Sequence, residues 1–135
     1  YRIDKTILLS SNNKNIVIID DSYNSNVTGV DAAMEVLDTF KGRKIVLTPG
    51  LVELGKMENM ANLNFGRTLA SHADIDIIIG KHNAEMLING LVDGGMSREN
   101  IKFAKTLTKG NEILNKMIEE GDVVLFENDL PDNYN

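Results

Sequence analysis

The stretch NIVIIDDSYNSNVTGVDAAMEVL, which covers residues 15–37, decides the fold. Its first part, NIVIID at Asn15–Asp20, is a run of β-branched residues typical of a buried strand. The polar segment Asp20–Asn26 follows, and it contains no aliphatic side chain. From Val30 onward the apolar residues recur at i, i+3, i+4 and i+7, which indicates a helix. The stretch therefore predicts a strand, a polar loop and a helix in succession.

Local signals mark both ends of this predicted helix. Asn26 or Thr28 can cap its N-terminus, and Gly42 sits where a C′ glycine belongs. A cap needs one polar residue, whereas Asp20–Asn26 supplies seven in a row. Ligands of open α/β sheets bind beyond the carboxyl ends of the strands. We therefore expect this polar segment to line a site.

Strand and helix patterns alternate on both sides of this stretch. Upstream, Thr6–Ser10 is a predicted first strand that turns back through a polar turn. Downstream, the strand patterns are Lys44–Thr48, Ile75–Gly80, Ile101–Ala104 and Asp122–Phe126, and helical patterns lie at 63–73, 84–91 and 113–118. Strands this apolar imply helices on both faces of the sheet. We predict one doubly wound, Rossmann-like α/β domain over residues 1–135, with a mostly parallel sheet, an antiparallel N-terminal edge strand and about four helices.

Composition excludes several classes of protein. The 135 residues carry 14 basic and 20 acidic side chains, a net charge of −6, which argues against a nucleic-acid partner. Because the chain has no Cys, disulfides, thiolate metal sites and a Cys nucleophile are absent. No apolar run approaches the ~20 residues that span a bilayer, so we expect no membrane partner. The chain begins at Tyr1 without an initiator Met, and we interpret it as a piece of a longer protein.

The common phosphate-binding and catalytic motifs are missing from the sequence. It contains neither G-x-x-x-x-G-K-[ST] nor a G-x-G-x-x-G after the first buried strand, and no metal site is predicted. We expect structural or solvated roles for its two histidines, His72 and His82. Met57 and Met60 are expected to be core or lid contacts rather than ligands.

The acidic pair Asp20-Asp21 leaves two alternatives open. Paired acids after a first strand are similar to those of receiver domains, which need a third Asp and a Lys at later strand ends. Gly80 or Thr48 occupies the first of those places, and Glu127 occupies the second. A receiver-like module and a free-standing small-molecule-binding domain without catalysis both remain possible at this point.

A series of motifs resembles the C-terminal domain of the Mur ligases. The series consists of IDDSYNSN at Ile19–Asn26, the pair Ala32-Ala33, Gly42-Arg43-Lys44, VELG at Val52–Gly55, Gly66, and Asp76 with IIIG at 77–80. In order and spacing it is most similar to the family member that adds D-alanyl-D-alanine to a UDP-MurNAc-tripeptide. The resemblance covers about residues 2–126, nearly the whole chain.

The resemblance implies part of an ATP-dependent amide-bond ligase of bacterial peptidoglycan synthesis, working in the cytoplasm through an acyl phosphate. ATP and Mg²⁺ would be bound mainly by a central domain of the same protein, so the isolated domain is expected to be inactive. Its partners would be a UDP-MurNAc-peptide-like acid, an amine acceptor and the remaining domains of its own chain. Catalytic residues stay unassigned.

The resemblance also implies site residues in this chain. Arg2 and Asp21 would contact the ribose or phosphates of ATP. The remaining implied residues are Tyr23, Asn24 and Asn26 for the nucleotide crevice, and Glu53, Asn128 and Asp129 for the substrate.

Three departures from the family pattern concern the acceptor. Pro49-Gly50 replaces an acidic segment before the E-L-G loop, Asn62 replaces a His, and Glu127-Asn128-Asp129 replaces a K-G-S segment. The acceptor could therefore be D-alanyl-D-alanine, another dipeptide, an amino acid or an amine outside peptidoglycan synthesis.

Overall fold

The computed structural model describes residues 2–4, 15–21, 27–52 and 55–127. Its strands are β1 Arg2–Asp4, β2 Val17–Asp21, β3 Lys44–Thr48, β4 Ile75–Ile79, β5 Ile101–Ala104 and β6 Val123–Glu127. Its helices are α1 Val27–Asp38, α2 Glu58–His72, α3 Ala84–Asp93 and α4 Leu107–Met117, with short 3₁₀ turns at Gly55–Met57 and Arg98–Asn100.

These strands form one sheet in the order β1-β2-β6-β3-β4-β5. The five strands from β2 to β5 in that order run parallel to one another, whereas β1 pairs with β2 in the antiparallel sense. The predicted parallel α/β sheet with four helices is confirmed. The run Thr6–Ser10, which the sequence analysis assigned to the edge strand, lies outside the described residues.

Side-chain alternation along the strands divides the core into two layers. Ile78 belongs to the layer that packs against α1, α2 and α3, and its neighbour Ile77 belongs to the layer that packs against α4. Both isoleucines are fully buried. This two-sided burial explains why the strands read as apolar runs in the sequence.

Helices α2 and α3 approach each other at two glycines. A Cβ atom on Gly66 would collide with the carbonyl oxygen of Leu87, and one on Gly90 would collide with the carbonyl oxygen of Leu63. Glycine at these two positions therefore permits the close packing that fixes the loops before both helices.

Of the signals predicted for the ends of the first helix, one of the two candidate caps is excluded and the C′ role of Gly42 is wrong. The first helix begins at Val27, so Thr28 lies inside it and cannot be its cap, while Asn26 lies outside the described residues. That helix ends at Asp38, which leaves Gly42 in the turn before β3 rather than at C′. Gly42 has φ +114°, and a Cβ there would collide with the carbonyl oxygen of Gly121. The glycine serves this contact between turns, which the sequence pattern does not distinguish from a helix end.

Candidate functional site

The candidate site lies along the carboxyl edge, the side of the sheet where β2 to β6 end. At this edge Asp21, the last residue of β2, is in register with Glu127, the last residue of β6. Arg2 in β1 is in register with Asp20, one residue before Asp21. The antiparallel direction of β1 thus returns the backbone of Arg2 to the end of β2. The two residues implied for the nucleotide therefore share one corner of the sheet.

Six of the eight implied site residues cannot be placed. Tyr23, Asn24, Asn26, Glu53, Asn128 and Asp129 all lie outside the described residues. In the sequence, all six nevertheless lie one to five residues after the last residue of β2, β3 or β6, strands that end at the carboxyl edge.

The loop after β3 is fixed by buried amide side chains. Asn62 accepts a hydrogen bond from the Leu51 amide nitrogen at 2.7 Å and donates to the Leu51 carbonyl oxygen at 2.9 Å. Asn83 donates to the same carbonyl oxygen at 3.1 Å, and both asparagines are buried. Gly50 has φ +91°, and a Cβ there would lie 2.6 Å from the Asn62 Oδ1 atom. Asn62 thus has a structural role that positions the chain just before Glu53.

The loop after β4 carries an exposed imidazole beside a carboxylate. His82 Nε2 lies 2.9 Å from Glu58 Oε2, where Glu58 opens α2. The His82 side chain is 71% exposed, whereas that of Glu58 is 17% exposed. A structural or solvated role was predicted for this histidine, and its partner, 24 residues away, has no local signal in the sequence. The structure places a histidine–carboxylate pair at the carboxyl edge.

A mainly apolar groove of about 210 Å³ separates α1 from α2 near the same edge. Val30, Leu51 and Phe65 form buried parts of its lining. Met57 and Met60 also line it but are 72% and 56% exposed, so they are not core contacts, and a role as lid contacts stays a prediction. Met57 ends the 3₁₀ turn before α2, and none of the residues of this turn is buried.

Asp76 is a fully buried carboxyl group within β4. It alternates in phase with Ile78 and therefore faces the layer of α1 to α3. Neither of its carboxyl oxygens has a hydrogen-bond partner in the described part of the chain. Burial raises the pKa of Asp76 from 3.8 to about 8, so the group is mostly protonated at neutral pH. Its position near the start of β4 separates it from the carboxyl edge.

The described residues do not supply a metal site of their own. Nowhere in ranges 2–4, 15–21, 27–52 and 55–127 do three His, Asp or Glu side chains converge as a cation would require. We derive no step through Mg²⁺ from these residues. Within the same ranges, no helix combines the length and apolar character that a membrane crossing requires.

Together, the strand order and the helices on both faces of the sheet define a doubly wound α/β domain, a class in which ligands bind beyond the carboxyl ends of the strands. Residues 7–127 match the family model described as Mur ligase, glutamate ligase domain. Because that match covers most of the chain, the protein belongs to the Mur ligase C-terminal domain family.

Individual relatives agree with this family. The chain is 34% identical over 103 residues to UDP-N-acetylmuramoyl-tripeptide--D-alanyl-D-alanine ligase of Buchnera aphidicola, a match that covers 76% of this chain and 19% of that protein. Its fold is similar to MurF ligase from Thermotoga maritima in complex with ADP, with a TM-score of 0.74 and 22% identity over 96% of this chain and 27% of that one. MurF from Acinetobacter baumannii gives a TM-score of 0.67 at 25% identity, over 84% of this chain and 25% of that one. The chain thus spans about a fifth to a quarter of these relatives.

The matches give no support to the receiver-like alternative. The end of β3 also differs from that of a receiver domain. Thr48 is buried there, and its hydroxyl oxygen accepts a hydrogen bond from the Gly50 amide nitrogen at 3.0 Å. It therefore acts in the turn and not as a replacement for a phosphorylated acid.

Proposed function

We propose that this chain is the closing domain of an ATP-dependent amide-bond ligase of bacterial peptidoglycan synthesis. By closing domain we mean the domain that covers the nucleotide and presents the amine while another domain of the same protein supplies the phosphate-binding loop. The observation that carries this proposal is the family match over residues 7–127 together with the Buchnera relative, whose name states a ligase of this kind.

The backbones of Arg2 and Asp21 lie at the same corner of the sheet, which supports a nucleotide contact by both residues. The register places their backbones within one residue of each other across β1 and β2. An acidic side chain beyond a strand end can accept hydrogen bonds from ribose hydroxyls, and an arginine can bind phosphate oxygens. Tyr23, Asn24 and Asn26 follow the same strand end and are proposed to line the crevice. The Thermotoga neighbour is a MurF ligase in complex with ADP, which is consistent with the use of a nucleotide by the complete ligase.

The acceptor side of the site is proposed to lie after β3 and β6. Glu53 follows the loop that Asn62 and Asn83 fix, and Asn128-Asp129 follows β6. D-alanyl-D-alanine, the acceptor in the Buchnera relative's name, is the first acceptor to test. An acidic Glu53 and Asp129 would attract an ammonium group, which every candidate amine carries.

In the complete ligase, ATP with Mg²⁺ would phosphorylate the carboxyl group of a UDP-MurNAc-peptide-like acid, and the amine would displace the phosphate. We place this reaction in the cytoplasm, where ATP and UDP-linked precursors occur. The test is to supply ATP, UDP-MurNAc-tripeptide and D-alanyl-D-alanine to the complete ligase and to measure phosphate release and product mass.

Phosphate release that needs all three substrates, with a product heavier by one dipeptide, is the expected result. Phosphate release at the same rate with and without the amine would contradict the proposal. Replacing D-alanyl-D-alanine with other dipeptides, single amino acids and simple amines in the same assay identifies the acceptor. The isolated 135 residues are expected to hydrolyse no ATP.

A further inference from the structure

We propose that His82, held by Glu58, is the base that takes a proton from the acceptor's ammonium group. This inference rests on the proposed function, because it assigns a residue to the amine half of that reaction. Its starting observation is the 2.9 Å contact between His82 Nε2 and Glu58 Oε2 at the carboxyl edge.

The contact fixes which ring nitrogen of His82 can act as a base. A carboxylate can only accept hydrogen bonds, so Nε2 must be the donor in this pair. In the neutral imidazole the lone pair is then on Nδ1. Within the described ranges no hydrogen bond to Nδ1 is found, and the side chain is 71% exposed. In this tautomer of His82, Nδ1 carries the lone pair on an exposed side chain, so it can accept a proton.

Neighbouring residues hold this pair in place without burying it. Gly80 opens the loop with φ +77° directly after β4, and its amide nitrogen donates to the Ala104 carbonyl oxygen at 2.7 Å. Asn83, on the other side of His82, is buried and bound to Leu51. His82 thus projects from a loop that is anchored on both sides. Because the imidazole of this pair is exposed, the pair contributes little to folding stability, and a stability role explains it poorly.

The chemistry of amide formation requires such a group. At neutral pH the acceptor is an ammonium ion, which has no lone pair. His82 Nδ1 would take one of its protons, and the neutral amine nitrogen would then attack the carbonyl carbon of the acyl phosphate. As the new C–N bond forms, the C–O bond to phosphorus breaks and phosphate leaves. The second proton is lost from nitrogen to solvent, and the imidazolium returns its proton to water.

The chain contains a matched control for this pair. His72 Nδ1 lies 2.9 Å from Asp38 Oδ1, so it too forms a histidine–carboxylate pair. That pair joins the C-terminal ends of α1 and α2, at the opposite edge of the sheet. His72→Gln therefore removes the same chemistry at a place remote from the proposed site.

The test compares two acceptors in the complete ligase at neutral pH. D-alanyl-D-alanine must lose a proton before it attacks, whereas hydroxylamine is largely neutral and needs no base. For His82→Gln we expect the turnover rate with the dipeptide to fall about 100-fold, a loss typical of a missing general base. The rate with hydroxylamine should stay within about twofold of the wild type, because that amine bypasses the step.

Glu58→Gln tests the positioning role. It should lower turnover with the dipeptide by about tenfold while leaving the KM for the dipeptide and the hydroxylamine rate unchanged. His72→Gln should match the wild type with both acceptors.

Two results would overturn the inference while the proposed function stands. One is a wild-type dipeptide rate in His82→Gln, and the other is an equal loss with both acceptors, which would place the defect before the amine attacks. A wild-type ligase that joins neither amine to the acid would instead refute the proposed function, and the inference would fall with it.

Discussion

Replacing Asp76 with asparagine isolates the cost of burying a carboxyl group that has no hydrogen-bond partner among the residues the structure describes. In the folded chain burial raises the pKa of Asp76 from 3.8 to about 8. Between these two values the folded protein holds a proton that the unfolded chain releases. Asp76 therefore lowers the free energy of unfolding progressively as pH rises from about 4 to about 8. Outside that window its effect does not change with pH.

The size of this effect follows from the pKa shift. At about pH 7, the unfolded-state pKa of 3.8 lies roughly three units below the solution pH, and each unit is worth about 1.4 kcal/mol. Asp76 should therefore cost about 4 kcal/mol of folding free energy at neutral pH. Asparagine has nearly the same shape and also buries two polar atoms, an oxygen and an NH2 nitrogen, but it does not titrate. Asp76→Asn should be about as stable as the wild type near pH 4 and several kcal/mol more stable near pH 7.

Urea unfolding followed by far-ultraviolet circular dichroism, repeated from about pH 4 to pH 8, measures this difference. The exposed Asp31 in α1 provides the control, since Asp31→Asn should shift the free energy of unfolding by less than about 0.5 kcal/mol at every pH. If the wild type and Asp76→Asn show parallel curves across this range, Asp76 is ionised or hydrated in the fold and the reasoning fails.

Two further substitutions test the packing around the site. Asn62→Ala removes two hydrogen bonds to Leu51 in the loop after β3 and one to the Glu58 carbonyl oxygen, and we expect a loss of about 2–4 kcal/mol in urea unfolding. A loss under about 1 kcal/mol would show that this loop keeps its conformation without Asn62. Gly66→Ala would gain about 1 kcal/mol from helix propensity in an isolated helix, but the collision with the Leu87 carbonyl oxygen predicts a net loss of about 1–3 kcal/mol. A net gain for Gly66→Ala in the same assay would mean that α2 and α3 separate easily.

The fold was predictable because its signals are local and periodic. The strand Lys44–Thr48 was predicted residue for residue, since a fully buried parallel strand is a continuous apolar run bounded by polar residues. The apolar period of the first helix extends back from Val30 to Val27, where the helix begins, so of the two candidate caps only Thr28 is excluded. The role of Gly42 was missed since a glycine at positive φ looks the same in a helix end and in a turn that packs against Gly121.

The site was less predictable because it depends on contacts between distant residues. The partner of His82 is 24 residues away, and only the packing of α2 beside the loop after β4 brings Glu58 to it. The burial of Asp76 also has no local signal, since an acid within an apolar run could equally mark an exposed strand face. The resemblance had already paired Arg2 with Asp21, but the strand Arg2–Asp4 and its pairing with β2 were not predicted, because the edge strand was assigned to Thr6–Ser10.

The most direct test of the central claim, that the corner of Arg2 and Asp21 contacts the nucleotide, is the KM for ATP of the complete ligase carrying Asp21→Ala. Loss of a hydrogen bond that involves a charged group is worth about 1.5–3 kcal/mol, so we predict an increase of about tenfold or more. Asp31→Ala, an exposed carboxylate in the helix that follows, should leave the KM for ATP within about twofold of the wild type. An unchanged KM for ATP in Asp21→Ala would contradict the account and remove this corner of the sheet from the nucleotide site.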